Sequence, residues 1–393
     1  MIQALSKTPA EEAFGMSLPH RRMEEWRWTD LRRSLVKPYP PRQNIVSLPR
    51  DIDRLIASSP FARLTSHRIV FVNGSLDQAR SNFAGLTFEL GGPSSSSVDD
   101  PVIHLNRAID PSGLTLRFDE SFDVPVEIIH VATPGAPRAM ALHNRIEVGQ
   151  AASATLVETF VGEGDYVINA ITEIHVGAGA RLDRVKVEID ARDATHLSYI
   201  DCILAKDSKL NELTLTSGAG LSRQNGNYLF AGENVNAHIA GAYLLDGRQH
   251  ADTRLVMDHK VPHCTSREIF KCVMDENARG IFQGKVIVAK HAQKTDGKQS
   301  SHALLLSETA EFDAKPELEI YADDVVCGHG ATAGDINHDH LFYLMSRGIP
   351  QAAAKSLLIG AFVGEAFDAV VNDGMKEALV AFADSWLTRR AST

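Results

Sequence analysis

Short alternating segments fill the chain from about residue 124, and their spacing repeats. Each alternates apolar and polar side chains, or is apolar throughout as in residues 126–131, which is typical of partly or fully covered β-strands. Three segments end alike, and their central residues Val148, Val176 and Leu204 are 28 residues apart. A repeat of this length predicts a β-solenoid, in which each coil buries its apolar face against its neighbours.

A β-sandwich is the competing prediction, because it also produces short strands at regular intervals. The repeat favours the solenoid, since matched residue types recur at matched positions and not only at a matched spacing. Further alternating segments continue to about residue 321, so we expect the same architecture to extend that far.

The two ends of the chain carry helical patterns instead. Near the start, Thr8 and Glu11 form a capping box, which predicts a short helix. We expect an N-terminal helical and mixed domain over residues 1–100, the solenoid over residues 101–334 and a C-terminal helical domain over residues 335–393.

Three helices are predicted after Gly334. Asn337 caps the first, Pro350 begins the second, and Asn372 or Asp373 caps the third. Apolar residues recur at helical spacing along the last two helices, namely Leu357, Leu358, Ala361, Phe362 and Val370, followed by Met375, Leu379, Phe382 and Trp386. We expect Phe382 and Trp386 to pack on the end of the solenoid, although an exposed partner surface would show the same pattern.

The composition is that of a globular protein with more than one structural unit. The chain has 393 residues, of which 44% are hydrophobic and 23% are charged. A formal charge of −10 argues against nucleic acid or an anionic membrane as the main partner. We predict no membrane span and no secretory signal, because no apolar run is long enough and the N-terminus has no apolar stretch after a basic start. Four well-separated cysteines are typical of reduced thiols, so we expect a cytoplasmic protein.

Cys327 and His329 are the strongest candidates for chemistry. They lie two positions apart in a glycine-spaced segment, so in an extended strand both side chains face the same way. Thiolate and imidazole are soft and borderline metal ligands, but two donors do not complete a coordination sphere, so a partner would supply the others. The alternative is a buried thiol beside a hydrogen-bonded histidine.

Other cysteines and histidines have structural interpretations. His259, His263 and Cys264 are close in sequence, but Pro262 and the spacing place the thiol opposite the imidazoles. Cys272 lies in a predicted strand and is expected in the core. The sequence has no Walker motif, so any ATP chemistry would belong to a partner.

The stretch from residue 227 to residue 349 resembles the core shared by the SufB and SufD iron–sulfur cluster assembly proteins. The matching segments are Asp-His-Lys-Val-Pro-His-Cys-Thr-Ser (258–266), Phe-Gln-Gly-Lys (282–285), Ala-Gln-Lys-Thr-Asp-Gly (292–297), Leu-Leu-Leu-Ser (304–307), Pro-Glu-Leu-Glu-Ile (316–320), Cys-Gly-His-Gly-Ala-Thr (327–332) and Phe-Tyr-Leu-Met-Ser-Arg-Gly-Ile (342–349). Residues 24–31 and 71–74 resemble SufD as well. SufD is the better match, because SufB typically has an acidic residue and an alanine around its histidine and is a longer chain.

The resemblance implies a mainly β protein in which a right-handed parallel β-helix lies between N-terminal and C-terminal helical domains. It implies a non-enzymatic scaffold subunit of the SUF system, working with a SufB-like subunit and a SufC-like ATPase. Cys327 and His329 correspond to the family's interfacial cysteine and histidine. The ATPase would dock on the C-terminal helices, where the candidate contacts are Ser346, Arg347, Gly348, Ile349, Leu358 and Phe362.

No stably bound cofactor is expected from the resemblance, only transient iron or a transient iron–sulfur cluster at a partner interface. A flavin elsewhere in the complex and a homodimer of the isolated chain are both compatible with it. The alternative from another class is a carbohydrate-active β-helix enzyme, a lyase or hydrolase. That enzyme would need paired carboxylates or a Ca²⁺ site beside aromatic platforms, whereas only 7% of the residues are aromatic.

Overall fold

A computed structural model describes residues 7–41, 47–92 and 98–391. The parts of the predicted terminal domains at residues 1–6, 42–46, 93–97 and 392–393 lie outside the described residues.

The described chain contains a long series of strands between two groups of helices. The strands are β1 (His67–Val72), β2 (Ser75–Leu76), β3 (Thr87–Leu90), β4 (Leu114–Phe118), β5 (Phe122–Ala132), β6 (Arg138–Val148), β7 (Ser153–Gly162), β8 (Tyr166–Val176), β9 (Arg181–Ile189), β10 (Thr195–Leu204), β11 (Lys209–Thr216), β12 (Leu221–Phe230), β13 (Asn236–Leu245), β14 (His250–His259), β15 (Thr265–Met274), β16 (Arg279–Val288), β17 (Asp296–Leu305), β18 (Glu311–Ile320) and β19 (Val326–Gly334). The α-helices are α1 (Pro9–Phe14), α2 (Leu31–Ser34), α3 (Pro49–Ala57), α4 (Pro101–Ile109), α5 (His338–Ser346), α6 (Gln351–Phe367) and α7 (Asp373–Ala391), with 3₁₀ turns at Glu24–Trp26 and Gln78–Arg80.

The strands form a parallel β-solenoid of about eight turns. Even-numbered strands from β4 to β18 make one sheet, and odd-numbered strands from β5 to β19 make the other, with β1 beside β5. Only the β1–β2 and β3–β4 pairs, at the N-terminal edges, are antiparallel among the pairings of the described strands. The predicted solenoid is therefore confirmed, and the antiparallel sandwich is wrong.

The sequence repeat is the register of the even-numbered sheet. Val148 pairs with Val176, and Val176 pairs with Leu204. Coil length then varies, because Thr195 pairs with Leu221 at a spacing of 26 residues and Arg279 pairs with Glu311 at a spacing of 32. The extra residues lie in turns, so the strands stay in register while the spacing in sequence changes.

Inward side chains of both sheets form one apolar core that contains a charged layer near its middle. Arg184 lies between Glu158 and Glu212 there, and the Arg184 Nε donates to Glu158 at 2.6 Å. Burial alone would raise the pKa of Glu188, but His196 and Lys186 outweigh it and hold that pKa at about 2. These buried charges are paired with one another, as charges removed from water must be.

The helical groups cover the flanks of the solenoid. On the even-numbered sheet, Asn106 of α4 donates to the backbone carbonyls of Leu142 and Asn169 at 3.0 and 2.9 Å. On the odd-numbered sheet, α6 and α7 pack with strand residues such as Val187 and Leu215 in a second apolar cluster.

The position of α7 differs from our expectation. Trp386 is buried and Phe382 partly buried in this cluster, so both pack on the flank and not on the end of the solenoid. The last turn consequently remains uncovered by α6 and α7.

The face that α6 buries also differs from the prediction. Leu357 is exposed, whereas the buried side chains are Ala354, Ile359, Val363, Ala366 and Phe367. Because apolar residues occur around most of this helix, periodicity alone does not select the buried face.

Candidate site at the open end of the solenoid

The last turn of the solenoid ends in two edge strands. β18 pairs with β16 and is the end strand of its sheet, and β19 pairs with β17 and is the end strand of the other. Each therefore presents a row of backbone donors and acceptors on its outer side. The apolar side chains of Tyr321 and Val326 are exposed beside this edge.

Cys327 and His329 both point toward the interior of the solenoid from β19. Cys327 is in register with Gly297 and His329 with Gln299, positions that share the inward parity of the core residue Ala303. Cys327 is half-buried and packs against the core, whereas His329 is exposed. The two donors thus lie on one face, at the mouth of the solenoid.

Gly297 provides room for the Cys327 thiol. A Cβ placed on Gly297 would lie 3.5 Å from the Cys327 Sγ and 3.4 Å from the Ser266 Oγ. Burial raises the pKa of the Cys327 thiol, which Asp296 also raises, while the backbone at Gly297 lowers it by a smaller amount. The thiol is therefore protonated at neutral pH, and a bound cation is needed to favour the thiolate.

A cavity of about 440 Å³ opens beneath the two donors. Its lining combines charged and polar side chains with the candidate pair and includes Arg267, Glu268, Lys298, Gln299, Cys327 and His329. Arg267 donates to Asp296 at 2.5 Å, so its charge is partly compensated.

Glu268 and Gln299 were missed by sequence reasoning. They precede His329 in three successive turns, because Glu268 pairs with Gln299 and Gln299 with His329. The signal was the coil repeat, but a fixed spacing of 28 residues does not reach these positions, which are 31 and 30 residues apart.

The other predicted thiols and imidazoles have structural surroundings. His259 stacks on Phe230 with ring centroids 3.9 Å apart, and its Nε2 lies 3.0 Å from the Ser266 Oγ. Burial lowers the pKa of His259 to about 4. His263 lies in a turn at φ +64°, whereas Cys264 and Cys272 are buried in the core. Within the described ranges, no group of three or more His, Cys, Asp or Glu residues is arranged to hold a metal ion.

The predicted ATPase contacts fall into two groups. Ser346, Arg347 and Gly348 are exposed after α5, whereas Ile349, Leu358 and Phe362 are half-buried. The Lys271 Nζ lies 4.7 Å from the centre of the Phe362 ring, so this side chain helps to hold α6 on the solenoid.

Sequence reasoning missed the most exposed aromatic residues of the C-terminal helices. Phe342 is 74% exposed and Tyr343 is 56% exposed, and Met345 and Leu357 are exposed as well. We call these four residues the helical apolar patch. Exposed apolar residues gathered on one group of helices are typical of a protein-binding surface.

The structure defines a β-solenoid protein that presents a thiol and an imidazole at one open end. Residues 130–362 match the family described as the SUF system FeS cluster assembly, SufBD core domain. The match covers more than half of the chain, which therefore belongs to the SufBD family, as the sequence resemblance predicted.

Relatives along most of the chain carry names from the same system. The iron–sulfur cluster assembly protein SufD of Escherichia coli is 30% identical over 378 residues, covering 93% of this chain and 88% of that protein. A SufBD family protein of Synechocystis is 28% identical over 389 residues, covering 90% and 84%. The SufD protein of Bacillus subtilis is 28% identical over 283 residues, covering 70% and 64%. Within the described residues, none of the helices is both long enough and apolar enough to cross a membrane.

Proposed function

We propose that this chain is a SufD-type scaffold subunit of an iron–sulfur cluster assembly complex. The observation that carries the proposal is the placement of Cys327 and His329 on the inward face of an uncovered edge strand. Their sulfur and nitrogen atoms are suitable ligands for iron or for a nascent cluster. The cluster is cargo in this scheme, and it leaves the complex after assembly.

A SufB-like subunit is the proposed partner at the open end. The unpaired edges of β18 and β19 offer backbone hydrogen bonds, and Tyr321 and Val326 offer apolar area beside them. Such a partner would bury His329 and supply the ligands that this chain lacks. In its absence, a second copy of the chain would pair through the same edges.

The incomplete ligand set supports a scaffold and not an enzyme. Cys327 and His329 are two donors, so a cluster held here would be shared with the partner and released when the two subunits separate. The four cysteines are free, which supports the cytoplasmic location included in this proposal.

A SufC-like ATPase is the proposed partner of the C-terminal helices. The helical apolar patch and the adjacent residues Ser346, Arg347 and Gly348 would form its contact surface. Because α6 packs on β13 and β15, movement of the helices would act on the last turns of the solenoid.

The test is cluster formation in the complex reconstituted from this chain, a SufB-like subunit and a SufC-like ATPase. We expect Cys327→Ser and His329→Ala each to lower cluster yield several-fold, because each removes one ligand. Cluster yield is measured by visible absorbance and complex yield by gel filtration. Complex yield should be unchanged, since neither side chain anchors the core.

Matched controls are Cys264→Ala, which removes a buried thiol from another turn, and His340→Ala, which removes an exposed imidazole from α5. Both controls should keep full cluster yield. Full yield in the Cys327→Ser/His329→Ala double variant would contradict the proposed site, and loss of the complex would make the pair structural.

A further inference from the structure

Three inward side chains form a ladder that runs from the core to the mouth of the solenoid. Glu268 on β15, Gln299 on β17 and His329 on β19 occupy successive register positions, so their backbones are about 4.8 Å apart. Glu268 is 1% exposed and Gln299 is 3% exposed, whereas His329 is exposed. The ladder therefore connects the candidate site to a buried carboxyl group two turns away.

Glu268 and Gln299 have unused hydrogen-bonding capacity. Both carboxyl oxygens of Glu268 and both amide atoms of Gln299 lack a hydrogen-bond partner among the described residues. Each such group costs about 1–3 kcal/mol when it is buried. The charged layer in the middle of the solenoid has no comparable run, since Glu158 and Glu188 accept hydrogen bonds there. The ladder thus lacks a partner at the end where His329 lies.

Space for the Gln299 amide comes from the facing sheet. A Cβ on Gly284 would lie 2.8 Å from the Gln299 Oε1, so a side chain at that position would displace the amide. With Gly284 opposite, the amide has room to turn toward either neighbouring turn. One neighbour is the carboxyl group of Glu268 and the other is the His329 ring.

A metal-binding imidazole uses one ring nitrogen for the metal and commonly donates a hydrogen bond from the other. The donated hydrogen bond fixes the tautomer and the orientation of the ring. The Gln299 Oε1 accepts such a bond from His329, and the Gln299 Nε2 donates to the Glu268 carboxyl group. Every unused atom type in the ladder then has a matching partner.

We propose that Glu268 and Gln299 are positioning residues that orient the His329 imidazole toward a metal cargo held beside Cys327. This proposal rests on the proposed function, since it requires His329 to be a ligand. The ladder acts when a partner covers the last turn, because that cover excludes the water that otherwise competes for the His329 ring.

The experiment uses Co²⁺ as the probe in the reconstituted three-protein complex. Thiolate-bound Co²⁺ absorbs in the near ultraviolet, so a titration gives both the affinity and a signature of Cys327 ligation. We expect Gln299→Leu and Glu268→Leu to weaken Co²⁺ binding about tenfold, the lower end of the usual effect of such supporting groups. Glu268→Gln should retain nearly full affinity, because its amide oxygen still accepts from Gln299.

A second measurement separates orientation of His329 from a general structural effect. In a His329→Ala background, Gln299→Leu should cause no further loss, because the ladder acts through His329 alone. Gln224→Leu is the matched control, since Gln224 is also buried and has an unpaired amide oxygen, but lies in the middle of the solenoid. Gln299→Ala repeats the test with a smaller side chain if Gln299→Leu does not assemble.

The outcomes distinguish the two proposals. A Cys327-dependent Co²⁺ band that is unaffected by Gln299→Leu, or an equal loss in the His329→Ala background, would overturn the ladder and leave the site intact. The absence of any Cys327-dependent band in the unaltered complex would overturn the site and the ladder together.

Discussion

Glu268 is a carboxyl group in surroundings that oppose its ionisation. Burial raises its pKa from 4.5 to about 8, and the nearby Gln299 amide lowers it by a smaller amount. An apolar side chain would avoid the desolvation cost at this position. Stability therefore does not explain the carboxyl group, whereas a role beside the candidate site does.

The raised pKa makes folding stability depend on pH in a defined direction. Below pH 4.5 Glu268 is neutral in both the folded and the unfolded chain, so no penalty arises. Between pH 4.5 and about 8 the unfolded chain releases the proton while the folded chain keeps it, so stability falls as pH rises. Each pKa unit corresponds to about 1.4 kcal/mol.

We therefore expect Glu268→Gln to stabilise the protein more at pH 8 than at pH 5, because glutamine does not ionise. Melting temperatures of both proteins at the two pH values measure the difference. Glu308→Gln is the control, because Glu308 is exposed in a turn. An equal effect of Glu268→Gln at both pH values would show that Glu268 is not neutral in the folded protein at pH 7.

Part of the candidate site was predictable from the sequence and part was not. The spacing of Cys327 and His329 places both on one face of any extended strand, whatever surrounds that strand. Glu268 and Gln299 reach the site only through the lateral pairing of three strands, and the turns between those strands differ in length. Local patterns carry no information on such turn lengths, so these two residues were not connected with His329.

The elements show a similar division. Strand register over Val148, Val176 and Leu204 was readable because those coils have equal lengths. Capping was readable too, since the Asn337 side chain accepts hydrogen bonds from two backbone amides at the start of α5. The buried face of α6 was not, because the choice between Leu357 and Ile359 depends on which helix face meets β13 and β15.

The exposed aromatic residues of α5 lead to a prediction for ATPase binding. We expect Phe342→Ser and Leu357→Ser each to weaken the affinity for the SufC-like ATPase about tenfold, since exposed apolar anchors dominate such contacts. Surface calorimetry or biolayer interferometry gives the affinity. The melting temperature should stay unchanged, because Phe342 contributes little to the core.

Val380→Ser is a suitable control, since it replaces an exposed apolar residue of α7 outside the helical apolar patch. Its affinity for the ATPase should equal that of the unaltered chain. If both patch variants also bind normally, the ATPase contact lies on another surface.

At the scale of the whole molecule, stability should be graded along the solenoid. Each turn is supported only by its neighbours, and the last turn has a neighbour on one side. Local opening therefore costs least at the free end. We expect amides of β18 and β19 to exchange hydrogen faster than those of β12 and β13 in the isolated chain.

Hydrogen exchange followed by mass spectrometry tests this gradient. Adding the SufB-like subunit should slow exchange in β18 and β19 and leave β12 and β13 unchanged, because only the end turn gains a neighbour. Unchanged exchange in β19 within the complex would place the partner on a different surface.

The antiparallel strands at the N-terminal edges limit how large an assembly can grow. Within the described residues, β2 and β3 close those edges, and both are short strands that offer little for another chain to pair with. Stacking one solenoid's start on another's end would generate an endless filament, and this arrangement requires two open ends. With one end blocked, contact through the other end stops at two solenoids. The small β2 and β3 strands thus act as a chain terminator, which keeps a protein with a long exposed strand edge from polymerising.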